Sequence, residues 1–231
     1  LRREHPGSIL IPQAALLMGE MLVKKNLNVR HESDTSKLLV REASEDLWMA
    51  RTDLPPGPLR DEATYAIARL LFSQGLYPEA RGMVELGLRE SPDGPFAIPQ
   101  ELLLSSCWRR SGNPRKAMDV LSRLGANIES ASDVRKTDKI DYLYESGGVS
   151  LDLGRLADAG EYYRAAIALA PDYAYAHPKR LYDLGLYSDR IGHEKKGFQA
   201  FSGVLEAEAR KGFMFPMASY RMAEISGRLG R

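Results

Sequence analysis

Apolar positions recur with the period of a helix along almost the whole chain. Between Arg155 and Ala170, the residues Leu156, Ala159, Tyr163, Ala166 and Ile167 fall at i, i+3, i+7, i+10 and i+11, one stripe of a 3.6-residue helix. Alanine at 159 and 166 lets a neighbouring helix approach closely, with Tyr163 filling the space between. No stretch of any length shows the alternation of a strand. The pattern predicts about eleven helices, over 12–25, 34–51, 60–74, 78–90, 99–111, 115–124, 138–153, 157–169, 178–191, 194–210 and 216–229. The last, with Met217, Tyr220, Met222, Ile225 and Leu229 apolar, has nothing after it to cover it. The first residue is Leu1 with no signal peptide behind it, so the sequence reads as a piece of a longer chain.

The breaks between helices are punctuated. Glycine stands at Gly75, Gly112, Gly154, Gly192 and Gly230, at intervals of 37, 42, 38 and 38 residues, and the Asn26–Leu27–Asn28 turn precedes Gly75 by 49. Glycine adopts the left-handed conformation that ends many helices, and asparagine tolerates it. Pro12, Pro99, Pro178 and Pro216 each stand just before an apolar-periodic stretch, at the favoured first helical position. Ile11-Pro12-Gln13 and Ile98-Pro99-Gln100 lead into similar leucine-rich runs, as if one hairpin start were built twice. A period near 38 with a breaker at each turn predicts stacked helical hairpins.

Composition narrows the function classes. The 231 residues carry 32 Lys+Arg against 31 Asp+Glu, a net charge of +1 that offers no general attraction to a nucleic-acid backbone. The single cysteine excludes a disulfide scaffold. No run approaches the 18 apolar residues of a membrane-spanning helix.

Over Ile140 to Tyr173 the chain resembles the tetratricopeptide repeat (TPR), a 34-residue helical hairpin. Gly147, Gly154, Ala159, Tyr163, Ala166 and Pro171 stand at six preferred places of that repeat. Asp61 onward matches with Ala68, Gly75, Tyr77, Ala80 and Pro92; Ile98 onward with Gly112, Ala117 and Leu121; Pro178 onward with Gly185, Gly192 and Phe201. In the first hairpin, Gly19 and Pro12 imply different registers. The repeats are longer than the consensus, and Ala126 to Lys136 reads as a polar connector. Long repeats opening on a proline are similar to those of bacterial envelope-assembly TPR lipoproteins, which favours a periplasmic over a cytoplasmic location.

The resemblance implies an all-α, right-handed superhelical solenoid over 1–231, with helix pairs 12–51, 60–90, 99–124, 138–169 and 178–210 and a final unpaired helix 216–229. It also implies a concave groove lined by the first helices. The groove place at the fifth position of each repeat holds Tyr65, Leu102, Tyr144, Tyr182 and Tyr220, and around them stand Arg69, Phe72, Arg109, Arg110, Asp152, Asp189 and Arg190, with Asp141 and Lys179. Tyrosine suits a binding surface because it pairs broad apolar area with a hydrogen-bonding tip. It also packs between adjacent first helices, and both readings stand. The places where the family's carboxylate clamp uses lysine and asparagine hold other residues, so that activity is not expected.

Catalytic, cofactor and metal sites are not expected. His5, His31, His177 and His193 are scattered and no HExxH occurs. Cys107 reads as a buried small hydrophobe. Gly147-Gly148 lacks the Gly-Lys-Ser/Thr of a phosphate loop. Trp48 anchors a partner or packs a core. The expected function is a non-enzymatic scaffold that binds a peptide or partner protein in its groove. The alternatives are a self-assembling module, forming a homo-oligomer through its uncovered end, and the accessory repeat region of a larger enzyme. Nucleic acid is not an expected partner.

Overall fold

The computed structural model describes residues 8, 10–26, 33–130, 134–208 and 214–230. Among them are eleven α-helices and no strand: α1 (Leu10–Asn26), α2 (Asp34–Asp53), α3 (Pro58–Ser73), α4 (Tyr77–Glu90), α5 (Ala97–Arg110), α6 (Pro114–Ser130), α7 (Lys136–Asp152), α8 (Leu156–Leu169), α9 (Pro178–Arg190), α10 (Glu194–Glu208) and α11 (Phe215–Arg228). A 3-10 turn, Tyr173–Ala176, precedes α9. The chain forms two compact units, Leu1–Asn127 and Ile128–Arg231.

The glycines end helices as the sequence predicts. Gly75, Gly112, Gly154, Gly192 and Gly230 all have φ between 68° and 80°. At the first four, the glycine N–H bonds back three residues and the next N–H bonds back five, as in Leu76 to the Leu71 carbonyl and Arg155 to the Ser150 carbonyl. That is the Schellman closure, which needs a left-handed residue at its centre. Prolines work at the opposite ends. Pro178 opens α9, while Pro12 and Pro99 stand third in their helices, still within the first turn whose N–H groups have no intrahelical partner. Second helices α4, α8 and α10 add an acid in the first turn, Glu79, Asp158 and Glu194, which complements the helix dipole.

One boundary differs from the sequence expectation by more than two residues. α6 does not stop at 124 but runs to Ser130, taking in the first part of the expected polar connector. Leu124 and Ile128 are both buried and continue its apolar stripe one turn further, so packing extends a helix whose local composition reads as loop. Residues 131–133 and the Leu27–Asn28 turn lie outside the described residues.

In the first unit the core joins α1 to α6 through Leu16, Leu47, Ala63, Ile67, Val84, Leu104 and Val120. In the first hairpin Gly19 stands at the α1–α2 contact: a Cβ there would meet the Leu47 side chain at 2.7 Å. In the second unit the core joins α7 to α11 through Tyr144, Tyr163, Tyr182, Phe201 and Ile225. Here too a glycine on the first helix lets a ring from the second helix sit against backbone. A Cβ at Gly147 would come within 2.6 Å of the Tyr163 ring, and one at Gly185 within 2.7 Å of Phe201.

Candidate functional site

The residues expected to line a groove divide into three groups. On α3, Tyr65, Arg69 and Phe72 follow at i, i+4 and i+7, on one face. Arg69 is exposed, and the two rings are half-buried. The Tyr65 ring centroid lies 5.6 Å from that of Phe96, and the Arg69 guanidinium stands 5.7 Å from the Tyr65 centroid. Phe72 packs 5.2 Å from Tyr77. α3 thus presents two apolar rings held from below, with a cation between them. On α5, Leu102 is buried, while Arg109 and Arg110 are half-buried at the helix end. The neighbouring Trp108 ring lies between Arg81 and Lys116, 4.1 and 4.4 Å from its centroid.

The second group corrects the expectation. Tyr144 is 0% exposed and Tyr182 5%, so neither ring faces an open surface. Tyr144 stacks on Tyr173 at 5.9 Å and meets Tyr163 at 6.1 Å, and Tyr182 meets Phe201 at 5.3 Å. The glycines opposite explain the burial, since the space that Gly147 and Gly185 leave open is filled by Tyr163 and Phe201, which in turn cover Tyr144 and Tyr182. Burial pushes the Tyr144 hydroxyl above the ordinary phenol range. Burial and then the neighbouring Asp141 carboxylate do the same to Tyr173.

The third group is charged and ties first helices together. Arg190 is exposed, yet its Nη1 donates to the Leu151 carbonyl at 2.6 Å. Asp189 accepts from Arg228 of α11, whose Nε also donates to Glu194 at 2.9 Å. Asp152 is exposed at the end of α7. Tyr220, on α11, is 62% exposed.

Sequence reasoning missed the strongest of these ties. Glu145 is fully buried and receives Arg180 Nη1 at 2.5 Å and Lys179 Nζ at 3.1 Å, and Arg180 also reaches Asp141 at 3.3 Å. Burial works against the Arg180 charge, but Glu145 and Asp141 outweigh it and hold its pKa above the ordinary value. Arg221 hydrogen-bonds the Tyr182 hydroxyl in the same sense. A positional signal exists only for the other ties: Arg190 and Arg228 stand a single repeat length apart.

Cys107 is buried. Trp48 is 44% exposed, outside the core. Asp61 lies in the first turn of α3 but is buried there and accepts a hydrogen bond from Ser91 Oγ at 3.0 Å. Among the described residues no cluster of His, Cys, Asp and Glu could hold a metal ion, and no helix is long and apolar enough to cross a membrane. His5 and His31 lie outside the described residues.

No protein-family model and no curated protein matches the sequence. Solved structures do. A thermophilic TPR protein of Thermus thermophilus superposes with a TM-score of 0.62 at 17% identity, over 93% of this chain and 98% of its own. The nearly identical TPR-like repeats of a Podospora anserina protein superpose with a TM-score of 0.57, also at 17% identity, over 86% and 96%. The likeness extends through both units: the chain has the tetratricopeptide-repeat fold.

Proposed function

We propose that the chain is a non-enzymatic interaction scaffold, and that its first unit binds an extended peptide or partner helix across the α3 face. The observation that carries this reading is the stripe of Tyr65, Arg69 and Phe72. Half-buried rings supported by Phe96 and Tyr77 are already ordered, so they lose little entropy when a partner covers them. Arg69 supplies a cation for an acidic or carbonyl group of the ligand. Arg109 and Arg110 on α5 extend the basic character, which favours a ligand with acidic residues beside its apolar anchors. The second unit contributes less to this reading, because Tyr144 and Tyr182 are spent on its core.

Pull-down with crosslinking from the source organism identifies the partner, and calorimetry measures its affinity. Arg69→Glu reverses an exposed charge and leaves the core intact. It should weaken the complex by about tenfold or more, and Phe72→Ala by about 2 kcal/mol if the ring is an anchor. Unchanged affinity in both variants, with helical circular dichroism preserved, sinks the α3 reading.

A further inference from the structure

Charge in the first unit is unbalanced around the α5–α6 turn. From Leu102 to Met118 the chain holds Arg109, Arg110, Arg115 and Lys116 and no carboxylate. Arg110 is half-buried at the end of α5, where a cation complements the helix dipole. Arg115 and Lys116 are exposed in the first turn of α6, where a cation opposes it. The other second helices are built the opposite way. α2, α4, α8 and α10 each carry an acid in that turn, Asp34, Glu79, Asp158 and Glu194, and α6 carries none. Among the described residues no carboxylate pairs with Arg110, Arg115 or Lys116, and Asp119, one turn further along α6, reaches neither of the last two. Like charges are thus held together at a helix end that disfavours them. Such a local conflict serves a function and not the fold. A ring fixes two of the charges in place. The Arg81 guanidinium of α4 and the Lys116 ammonium stand over the half-buried Trp108 of α5, 4.1 and 4.4 Å from its centroid. Cations held on an indole keep their charge while their long side chains lose freedom. The one carboxylate on Arg81, Glu85, stands at 3.7 Å and is half exposed, so it neutralises little.

We propose that this platform, Arg81, Arg110, Arg115 and Lys116 around Trp108, docks an acidic segment of a partner protein, a run of aspartate and glutamate within the partner's chain. Charge complementarity names the occupant. The guanidinium forks of Arg110 and Arg115 suit carboxylates, which they bind at two points. A carboxylate seated there also supplies the negative charge that the first turn of α6 lacks. Nucleic acid fits less well. A single strand needs aromatic faces on which bases stack, and the Trp108 ring already carries cations. The platform includes none of Tyr65, Arg69 and Phe72, so it is a second contact surface. It rests on the scaffold reading and is independent of the α3 stripe.

The test titrates the full chain into octaglutamate that carries a neutral dye at its N-terminus and an amide at its C-terminus, so that only side chains are charged. Fluorescence anisotropy should show saturable binding at low salt, weakened at least about tenfold at physiological salt because exposed charges are screened. Arg115→Glu together with Lys116→Glu should abolish it. Arg115→Glu alone should weaken it at least about fivefold. That variant should keep or raise the thermal midpoint, since a carboxylate suits the first turn of α6. Arg69→Glu, outside the platform, should leave binding within about twofold. Absence of saturable binding at low salt overturns the proposal. So does equal binding to the double variant and to Arg115→Glu, with circular dichroism unchanged. Loss of binding in Arg69→Glu would move the peptide to the α3 stripe, which overturns this proposal and supports that reading. Oligothymidylate of equal charge that binds as tightly, and is lost in the same double variant, would assign the platform to nucleic acid and overturns it as well.

Discussion

The two units build the same hairpin from different side chains. The first packs Ala, Leu, Ile, Val and Met, and its buried cluster holds no aromatic ring. The second packs Tyr144, Tyr163, Tyr182 and Phe201 at equivalent places. Side chains at two facing positions change together. Where the second helix carries Val84, the first carries Ala68. Where it carries Tyr163 or Phe201, the first has given up its Cβ altogether at Gly147 and Gly185. The conserved quantity is the volume between paired helices, as close packing requires. The polar groups differ as well. A tyrosine-rich core sits beside a buried ionic cluster of Glu145, Arg180 and Lys179, whereas the main buried tie of the first unit is Arg51 to Glu90, 2.8 Å apart, with a carboxylate that is still one-third exposed.

The largest expected effect that separates the units comes from deleting the position-matched side chains. Phe201→Ala should destabilise the second unit by about 3–5 kcal/mol, the usual range for a buried ring. Val84→Ala removes two methyl groups and should cost the first unit about 2 kcal/mol. The units can be followed separately during urea unfolding. Both tryptophans, Trp48 and Trp108, lie in the first unit, while nine of the 11 tyrosines lie in the second. Tryptophan fluorescence should therefore follow Val84→Ala, and tyrosine near-ultraviolet circular dichroism Phe201→Ala. If both probes move together in both variants, the units unfold as one and the comparison loses its thermodynamic meaning.

Next in size is the ionic cluster. Arg180→Met takes the shorter ion pair from the fully buried Glu145 and leaves it the longer one to Lys179. Stranding a buried charge costs about 3–5 kcal/mol, and the surviving lysine places this case near about 3. The double variant Arg180→Met, Glu145→Gln should recover much of that loss, because it removes the stranded charge. Failure to recover would mean that the cluster acts through geometry and not through charge.

The size-matching rule gives a smaller and sharper test. Gly147→Ala gains about 1 kcal/mol of helix propensity but drives a Cβ into Tyr163, at about 1–3 kcal/mol, so the net effect is a loss of about 1 kcal/mol. Adding Tyr163→Val converts this hairpin to the Ala–Val pairing of the first unit and should relieve the overlap. If the alanine is as costly beside valine as beside tyrosine, volume matching is not what couples the two positions.

Much of this architecture was legible in the sequence, and the reason is local. The glycine turns require a positive φ, which few residues adopt, so each left a mark at its own position. The helix stripes follow from the period alone. Even the matched pairs stand at a fixed spacing. What stayed hidden depends on neighbours distant in sequence. The stripe placed Tyr144, Tyr182 and Tyr220 on equivalent faces, but only the packed second helices decide that two are covered and one is not. The same holds for Trp48, which the pattern put on an ambiguous face of α2, and for Arg180 and Glu145, which meet across 35 residues. The missed end of α6 shows the reverse case, in which tertiary packing extends a helix through a segment whose composition suggests a loop.

Alkaline pH should separate the units by the smallest margin. Burial raises the pKa of Tyr142 and Tyr144, and burial with Asp141 raises that of Tyr173. A phenol whose folded pKa lies above its unfolded value stabilises the fold fully below the unfolded pKa. That contribution is lost as pH rises from about 10 toward the folded value, at up to about 1.4 kcal/mol per pH unit for each group. The tyrosine circular dichroism midpoint in urea should therefore fall between about pH 9 and about pH 11, and the tryptophan midpoint should fall less. Other groups also deprotonate in alkali, so the slope alone does not identify its cause. Tyr173→Phe does. It removes the hydroxyl beside Asp141 while keeping the ring that stacks on Tyr144 and, at 4.1 Å, on His177. A shallower slope in this variant assigns that part of the pH dependence to the Tyr173 phenol, and an unchanged slope leaves Tyr173 as packing alone and moves the cause to the other groups that titrate in alkali.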